Sequence, residues 1–275
     1  MILAKAAVND VKKAGLLLLL SLLIPFQVEA SEGDFQVIED KQLHAIRYIP
    51  KEPSGEALIL VHGFSRNAQR MAGHATALAS RGVTVWTPNL YSLMGGAKSR
   101  AKNVEFLLSL VRELSATHKN VSLAGHSAGG ALAFSAAIRA QQEGIEVAQL
   151  ILLDAVPWSE TIKEAGLLRP LPLLSLSAEP SAMNARLKVE ELHATIKFPF
   201  VQLHLIGSSH VDAENPPGYC SGSFTTETGR RLFAELLRRY VLREGFEAYV
   251  TEQEELGYIR SQRGQSQVPE CDSGT

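Results

Sequence analysis

Between Val121 and Gly130 the chain passes from an apolar strand into an alanine-rich helix with almost nothing between them: Val121-Ser122-Leu123-Ala124, then Gly125-His126-Ser127-Ala128-Gly129-Gly130. A strand can feed a helix over so short a span only through a very tight turn. Ser127, at the apex, is then held in a strained backbone conformation that lifts its hydroxyl clear of the sheet. Gly125 and Gly129 flank it because neighbouring backbone passes close to them. The helix that follows presents its N-terminus to the same spot, which favours developing negative charge. A glycine-spaced serine can occur in any loop, but between a strand and a helix it marks Ser127 as a candidate nucleophile.

The same alternation runs along most of the chain. Residues 43–49, 57–61, 83–87, 121–124, 150–153, 173–176 and 201–206 read as strands, and residues 68–80, 101–117, 128–142 and 226–243 as helices. Continuous apolar strands that alternate with helices imply a parallel sheet covered on both faces. Right-handed crossovers follow almost by default. Ligands in such sheets bind beyond the carboxyl ends of the strands, so chemistry is expected just after each strand.

Three short features together resemble an α/β-hydrolase: His62-Gly63-Phe64 after an early strand, Gly-His-Ser-Ala-Gly after a later one, and a histidine after the last strand. The resemblance covers residues 43–243 and touches chlorophyllase-like and dienelactone-hydrolase-like members. It implies the α/β-hydrolase fold, a mostly parallel, doubly wound sheet of about eight strands with helices on both faces. Seven strands are evident, and a first hairpin can use residues 35–38. It also implies an oxyanion hole made by the backbone N–H groups of Ala128 and Phe64, with Gly63 letting the loop approach closely. His62 precedes the nucleophile in chain order, so it reads as a histidine that orders this loop. His126 is expected to turn away, into the fold.

In this family the base follows the nucleophile and the acid along the chain. His210 comes just after the strand at residues 201–206, with Gly207-Ser208-Ser209 to let the imidazole reach the sheet's end. His204 lies inside that strand and is expected to face a packed side, and His193 to be solvated. The acid has two candidates, Asp154 after Leu150-Ile151-Leu152-Leu153 and Glu179 after residues 173–178. Many family members place the acid after the later strand, at a position occupied here by Ser181, which cannot serve. Leu-Leu-Asp-Ala-Val-Pro around Asp154 is similar to the subset, including pancreatic-type lipases and chlorophyllases, that uses the earlier strand. Asp154 is preferred, with Glu179 as the alternative. Asp212 reads as a local loop acid.

The chemistry these residues imply is hydrolysis of a small-molecule carboxylic ester through an acyl-enzyme, with no cofactor. Acyl transfer, or another non-hydrolytic reaction on the same residues, is the alternative within the fold. A catalytically silent binding module has no need of a strained turn. Residues 155–172, with Trp158, Leu167 and Leu168, read either as a short cap over the pocket or as a plain connection. No large lid insertion is visible, which favours small or accessible esters. A formal net charge of −2 without a clustered basic face does not suggest nucleic acid.

Residues 1–30 carry Lys5, Lys12 and Lys13, a leucine-rich run from Gly15 to Ile24, then Pro25 and Val28-Glu29-Ala30. This reads as a secretory signal, with the mature chain starting near Ser31, exported to a periplasm or the outside. A membrane span needs ~20 apolar residues, about twice this run. No cysteine lies near the cut, so a lipid anchor is not expected, and nothing would hold the mature chain in a membrane. In an oxidising compartment Cys220 and Cys271 either form one bridge or stay as two thiols. So far apart and without a histidine pair they make no zinc site. The hydrolase domain is expected over residues 31–250, followed by a polar, mobile tail at 251–275.

Overall fold

The continuous apolar runs become strands buried on both faces, and the helical patterns become the layers that cover them. A computed structural model describes residues 34–92, 96–217 and 224–263. The expected signal segment and both cysteines lie outside these residues.

The chain opens with two antiparallel strands, β1 (Phe35–Asp40) and β2 (Ala45–Pro50). Six parallel strands follow: β3 (Glu56–Val61), β4 (Thr84–Pro88), β5 (Asn120–His126), β6 (Leu150–Leu153), β7 (Leu173–Ser177) and β8 (Val201–Leu205). A final antiparallel strand, β9 (Ile259–Arg263), pairs with β8. The order across the nine-stranded sheet is β1-β2-β4-β3-β5-β6-β7-β8-β9. The helices are α1 (Ala72–Ala79), α2 (Gly96–Ser115), α3 (Ala128–Gln142), α4 (Ser159–Glu164), α5 (Val189–His193), α6 (Glu227–Leu242) and α7 (Phe246–Glu255).

Side chains alternate across a strand, so β3 divides its residues between two cores. Leu58 and Leu60 join the layer formed with α1, α6 and α7. Ala57, Ile59 and Val61 join the layer formed with α2 and α3. Burying each large apolar side chain contributes about 1.5–3 kcal/mol, an upper estimate because the unfolded chain is itself partly compact. The alanines of α3 let it lie close on the sheet, and nearly the whole helix is buried.

One expectation needs correction. The chain does not become a loose tail at Gln253. That residue is buried within α7, and the chain then turns back as β9 to cover the β8 edge. The polar look of residues 251–263 reflects an edge strand and a surface helix, which keep polar side chains on their outer faces. The sheet therefore has nine strands among the described residues, close to the expected number. Residues 155–172 form only the short α4 and a single 3₁₀ turn, Ala165–Leu167. No helix among the described residues is long and apolar enough to cross a membrane.

One contact governs how β3, β5 and α3 fit together. A β-carbon on Gly129 would run into the carbonyl of His62 and lie 2.7 Å from that of Val61. Gly129→Ala is therefore expected to destabilise by about 1–3 kcal/mol, the usual scale of overpacking, lowering Tm by roughly 5 °C. Gly166→Ala is the control, because its added carbon meets nothing nearer than 3.8 Å. Thermal unfolding of both variants checks this; equal Tm values would contradict it.

Candidate active site

Ser127 leaves β5 and starts α3 with φ 55° and ψ −124°. A non-glycine residue in such a conformation costs of order 1–3 kcal/mol and persists only where its surroundings over-determine it. They do so here. The Ser127 N–H donates to the Leu153 carbonyl, and the Ser127 carbonyl accepts from Gly130 and Val156, each at 3.0 Å. A β-carbon on Gly125 would strike the Gly129 carbonyl, so only glycine lets strand and helix meet at this angle. Ala128 is the first residue of α3, and its N–H belongs to the helix's open first turn, where the backbone favours negative charge.

The loop after β3 lies against this turn. A β-carbon on Gly63 would sit 3.2 Å from the Ser127 β-carbon and 3.1 Å from His126 Nδ1. His62 latches the loop. Its Nε2 accepts the Leu90 N–H at 3.1 Å, so Nδ1 carries the proton and donates to the Gly63 carbonyl at 2.8 Å. Phe64 comes next, with an exposed side chain. A cavity of about 100 Å³ opens beside it, lined by Gly63, Phe64, Arg66, Leu90, Tyr91 and Ser92. A larger groove of about 600 Å³ runs between α2, α3 and α4, and its lining includes none of Ser127, Asp154 or His210.

His210 begins a 3₁₀ turn (His210–Ala213) beyond β8, and its Nδ1 donates to Asp154 Oδ2 at 2.6 Å. Asp154 directly follows β6 and is fully buried. Its other oxygen accepts the Ala178 N–H at 3.1 Å, and the Asn184 amide donates to both. Glu179, the alternative acid, is occupied elsewhere: it meets His204 at 3.3 Å and accepts the Gly207 N–H at 2.9 Å. The structure therefore joins His210 to Asp154 and leaves Glu179 as a staple at the exit of β8. His204 is mostly buried, as its place inside β8 implies, and is paired with Glu179.

Two other histidines differ from expectation. His193 is not solvated: it shares a 2.9 Å hydrogen bond with buried Ser175 and packs 5.1 Å from the Phe200 ring. His126 is buried as expected, but it turns toward the candidate base, His210. Its ring lies 4.6 Å from that of His210, and its Nε2 donates to the His210 carbonyl at 2.9 Å. The residue next to Ser127 thus carries the His210 backbone directly.

The sequence reading missed two supports. Asp212 is more than a loop acid: it accepts the Ser209 N–H at 2.8 Å and both the N–H and hydroxyl of Thr226, at 2.7 and 2.9 Å. It closes the turn bearing His210 and ties it to the start of α6. The spacing Ser209-x-x-Asp212 resembles a capping box and could have signalled this. Asn184, in the turn after β7, had no local signal.

Burial holds His62, His74 and His193 near pKa 4 and His126 well below its ordinary value. All stay neutral when folded, and His74 uses its Nε2–H to hold the Ala213 carbonyl at 3.0 Å. Once unfolded, each takes up a proton below pH ~6.5. The unfolded state then binds more protons, so stability falls as pH drops from about 6.5 toward 4. Removing one such histidine by His74→Gln should make the slope shallower by at most about 1.4 kcal/mol per pH unit between pH 5 and 6. Urea unfolding across this range measures it; an unchanged slope would contradict a buried neutral His74.

Comparison with curated proteins returns no match. The model of the alpha/beta hydrolase family, in contrast, matches residues 58–255, a span that runs from β3 through α7 and includes Ser127, Asp154 and His210. With that match over most of its length, and with a mostly parallel sheet covered by helices on both faces, the chain belongs to the alpha/beta hydrolase family.

Proposed function

We propose that the protein is a serine hydrolase that cleaves a carboxylic ester through an acyl-enzyme, with Ser127 as nucleophile, His210 as base and Asp154 as acid. The observation that carries this reading is the 2.6 Å bond from His210 Nδ1 to a fully buried carboxylate. With its proton at Nδ1, the imidazole keeps the Nε2 lone pair free to take a proton. His126, which directly precedes Ser127, donates its Nε2–H to the carbonyl of His210.

The proposed reaction runs in two halves. His210 Nε2 takes the Ser127 proton while Oγ bonds to the ester carbonyl carbon. The carbonyl oxygen becomes negative and is met by the N–H groups of Ala128 and Phe64. The intermediate collapses, the C–O bond to the alcohol breaks, and the imidazolium returns its proton to the departing oxygen. Water then repeats the sequence on the acyl group and frees Ser127. Throughout, Asp154 stabilises the imidazolium and holds the tautomer. The connection after Asp154 forms only the short α4 and one 3₁₀ turn, which favours a small or accessible ester.

Kinetics on p-nitrophenyl esters of graded acyl length test this proposal. Ser127→Ala and His210→Ala should each lower kcat by several orders of magnitude, with rates highest for short acyl groups. Asp154→Asn should keep the circular dichroism spectrum and lose roughly a thousandfold or more, while Glu179→Gln stays within a few-fold of the parent. Crippled Glu179→Gln with active Asp154→Asn would move the acid to the later strand. An active Ser127→Ala would overturn the proposal.

A further inference from the structure

We propose that Asn184 is a positioning residue that holds the Asp154 carboxylate in place and tempers the charge it presents to His210. The inference rests on the reading of Asp154 and His210 as acid and base. Asn184 is fully buried, and its amide is completely used. Nδ2 donates to Asp154 Oδ2 at 3.1 Å, more weakly to Oδ1 at 3.4 Å, and to the Glu179 carbonyl at 2.9 Å. Oδ1 accepts the N–H groups of Ser181 at 2.8 Å and Leu187 at 3.3 Å. These partners fix the orientation: a reversed amide would set its NH₂ against two N–H donors and its oxygen against a carboxylate.

The turn is built around this side chain. Ala185, Arg186 and Leu187 have φ values of 50°, 58° and 63°, a run of left-handed residues that L-amino acids avoid. Leu187 nevertheless delivers its N–H to the Asn184 oxygen. The loop after β7 thus accepts an unfavourable backbone and brings a neutral donor to the acid of the neighbouring strand, β6.

The effect on His210 follows from sharing. Asp154 Oδ2 accepts both His210 Nδ1–H, at 2.6 Å, and Asn184 Nδ2–H, at 3.1 Å. A second donor draws negative charge from the oxygen and weakens its pull on the imidazolium, while leaving the imidazole oriented. Removing that donor should favour the imidazolium, so the base is lost to protonation at higher pH. The other ionisable groups around His210 keep their own partners in this change. His126 is bonded to the His210 carbonyl, Asp212 to Ser209 and Thr226, Glu214 to Arg66, His74 to the Ala213 carbonyl, and Glu179 to His204 and Gly207.

The test is the rate of fluorophosphonate labelling at Ser127 as a function of pH, in the parent, Asn184→Ala and Asn184→Leu, with near-ultraviolet circular dichroism alongside. Leucine fills the space without a donor, so it serves if alanine fails to fold. In a folded variant the acid limb should move up by about half a pH unit or more, and the plateau rate should fall about tenfold as the carboxylate loses its fixed position. Profiles that superimpose on the parent's after scaling, or failure of both variants to fold, would make Asn184 purely structural and overturn the proposal. Absence of labelling in the parent itself would instead overturn the serine-hydrolase reading, and this inference with it.

Discussion

At the foot of the candidate active site two stretches of backbone touch where no side chain fits: Gly129 lies against the carbonyls at the end of β3, and Gly125 against Gly129 itself. Beside this contact three neighbouring strands end together. Val61 pairs with Gly125, and His126 with Leu153, so β3, β5 and β6 end nearly level. The residues just beyond them, His62 to Phe64, Ser127 and Asp154, therefore emerge along one edge of the sheet. The level ending comes from hydrogen-bonded register and the strained turn from the glycines, so a rigid scaffold rather than a loop sets the geometry.

His210 comes from farther away, because β7 separates β6 from β8. Its loop must reach back across one strand, and a flexible loop would not hold the ring on Asp154. Several polar contacts supply the stiffness. Asp212 closes the turn, His126 bears the His210 carbonyl, and His74 bears that of Ala213. Arg66 pairs with buried Glu214, and the N–H of Gly73 donates to the Asn215 carbonyl at 2.7 Å. Arg66, Gly73 and His74 all follow the Gly63-Phe64 loop in the chain. The segment beside the Ser127 turn and the segment bearing His210 are thus fastened together.

The parts of this arrangement that depend on local pattern were legible in the sequence. Apolar runs located β3 to β8 to within a residue or two, and the ends of α3 and β6 coincide with the expected residues 128–142 and 150–153. Ser127 was legible because strand, glycines and helix are contiguous. Asp154 and Glu179 both follow strands, and local pattern does not show that the Glu179 side chain meets His204 while Asp154 meets His210. The supports were not legible, because their partners lie far apart in the chain: Asn184 meets Asp154 across 30 residues, and His126 meets His210 across 84. Residues 251–263 were misjudged for a different reason, since a polar edge strand has the composition of a tail.

In the proposed reaction Ser127 carries the acyl group during turnover. The most direct measurement is intact-protein mass after rapid acid quench of a reaction with a slowly deacylating p-nitrophenyl ester, followed by peptide mapping. A burst of p-nitrophenolate close to one equivalent is expected, with a single acyl adduct on the peptide that contains Ser127. Steady release of p-nitrophenolate with no adduct, or an adduct on any other residue, would contradict it.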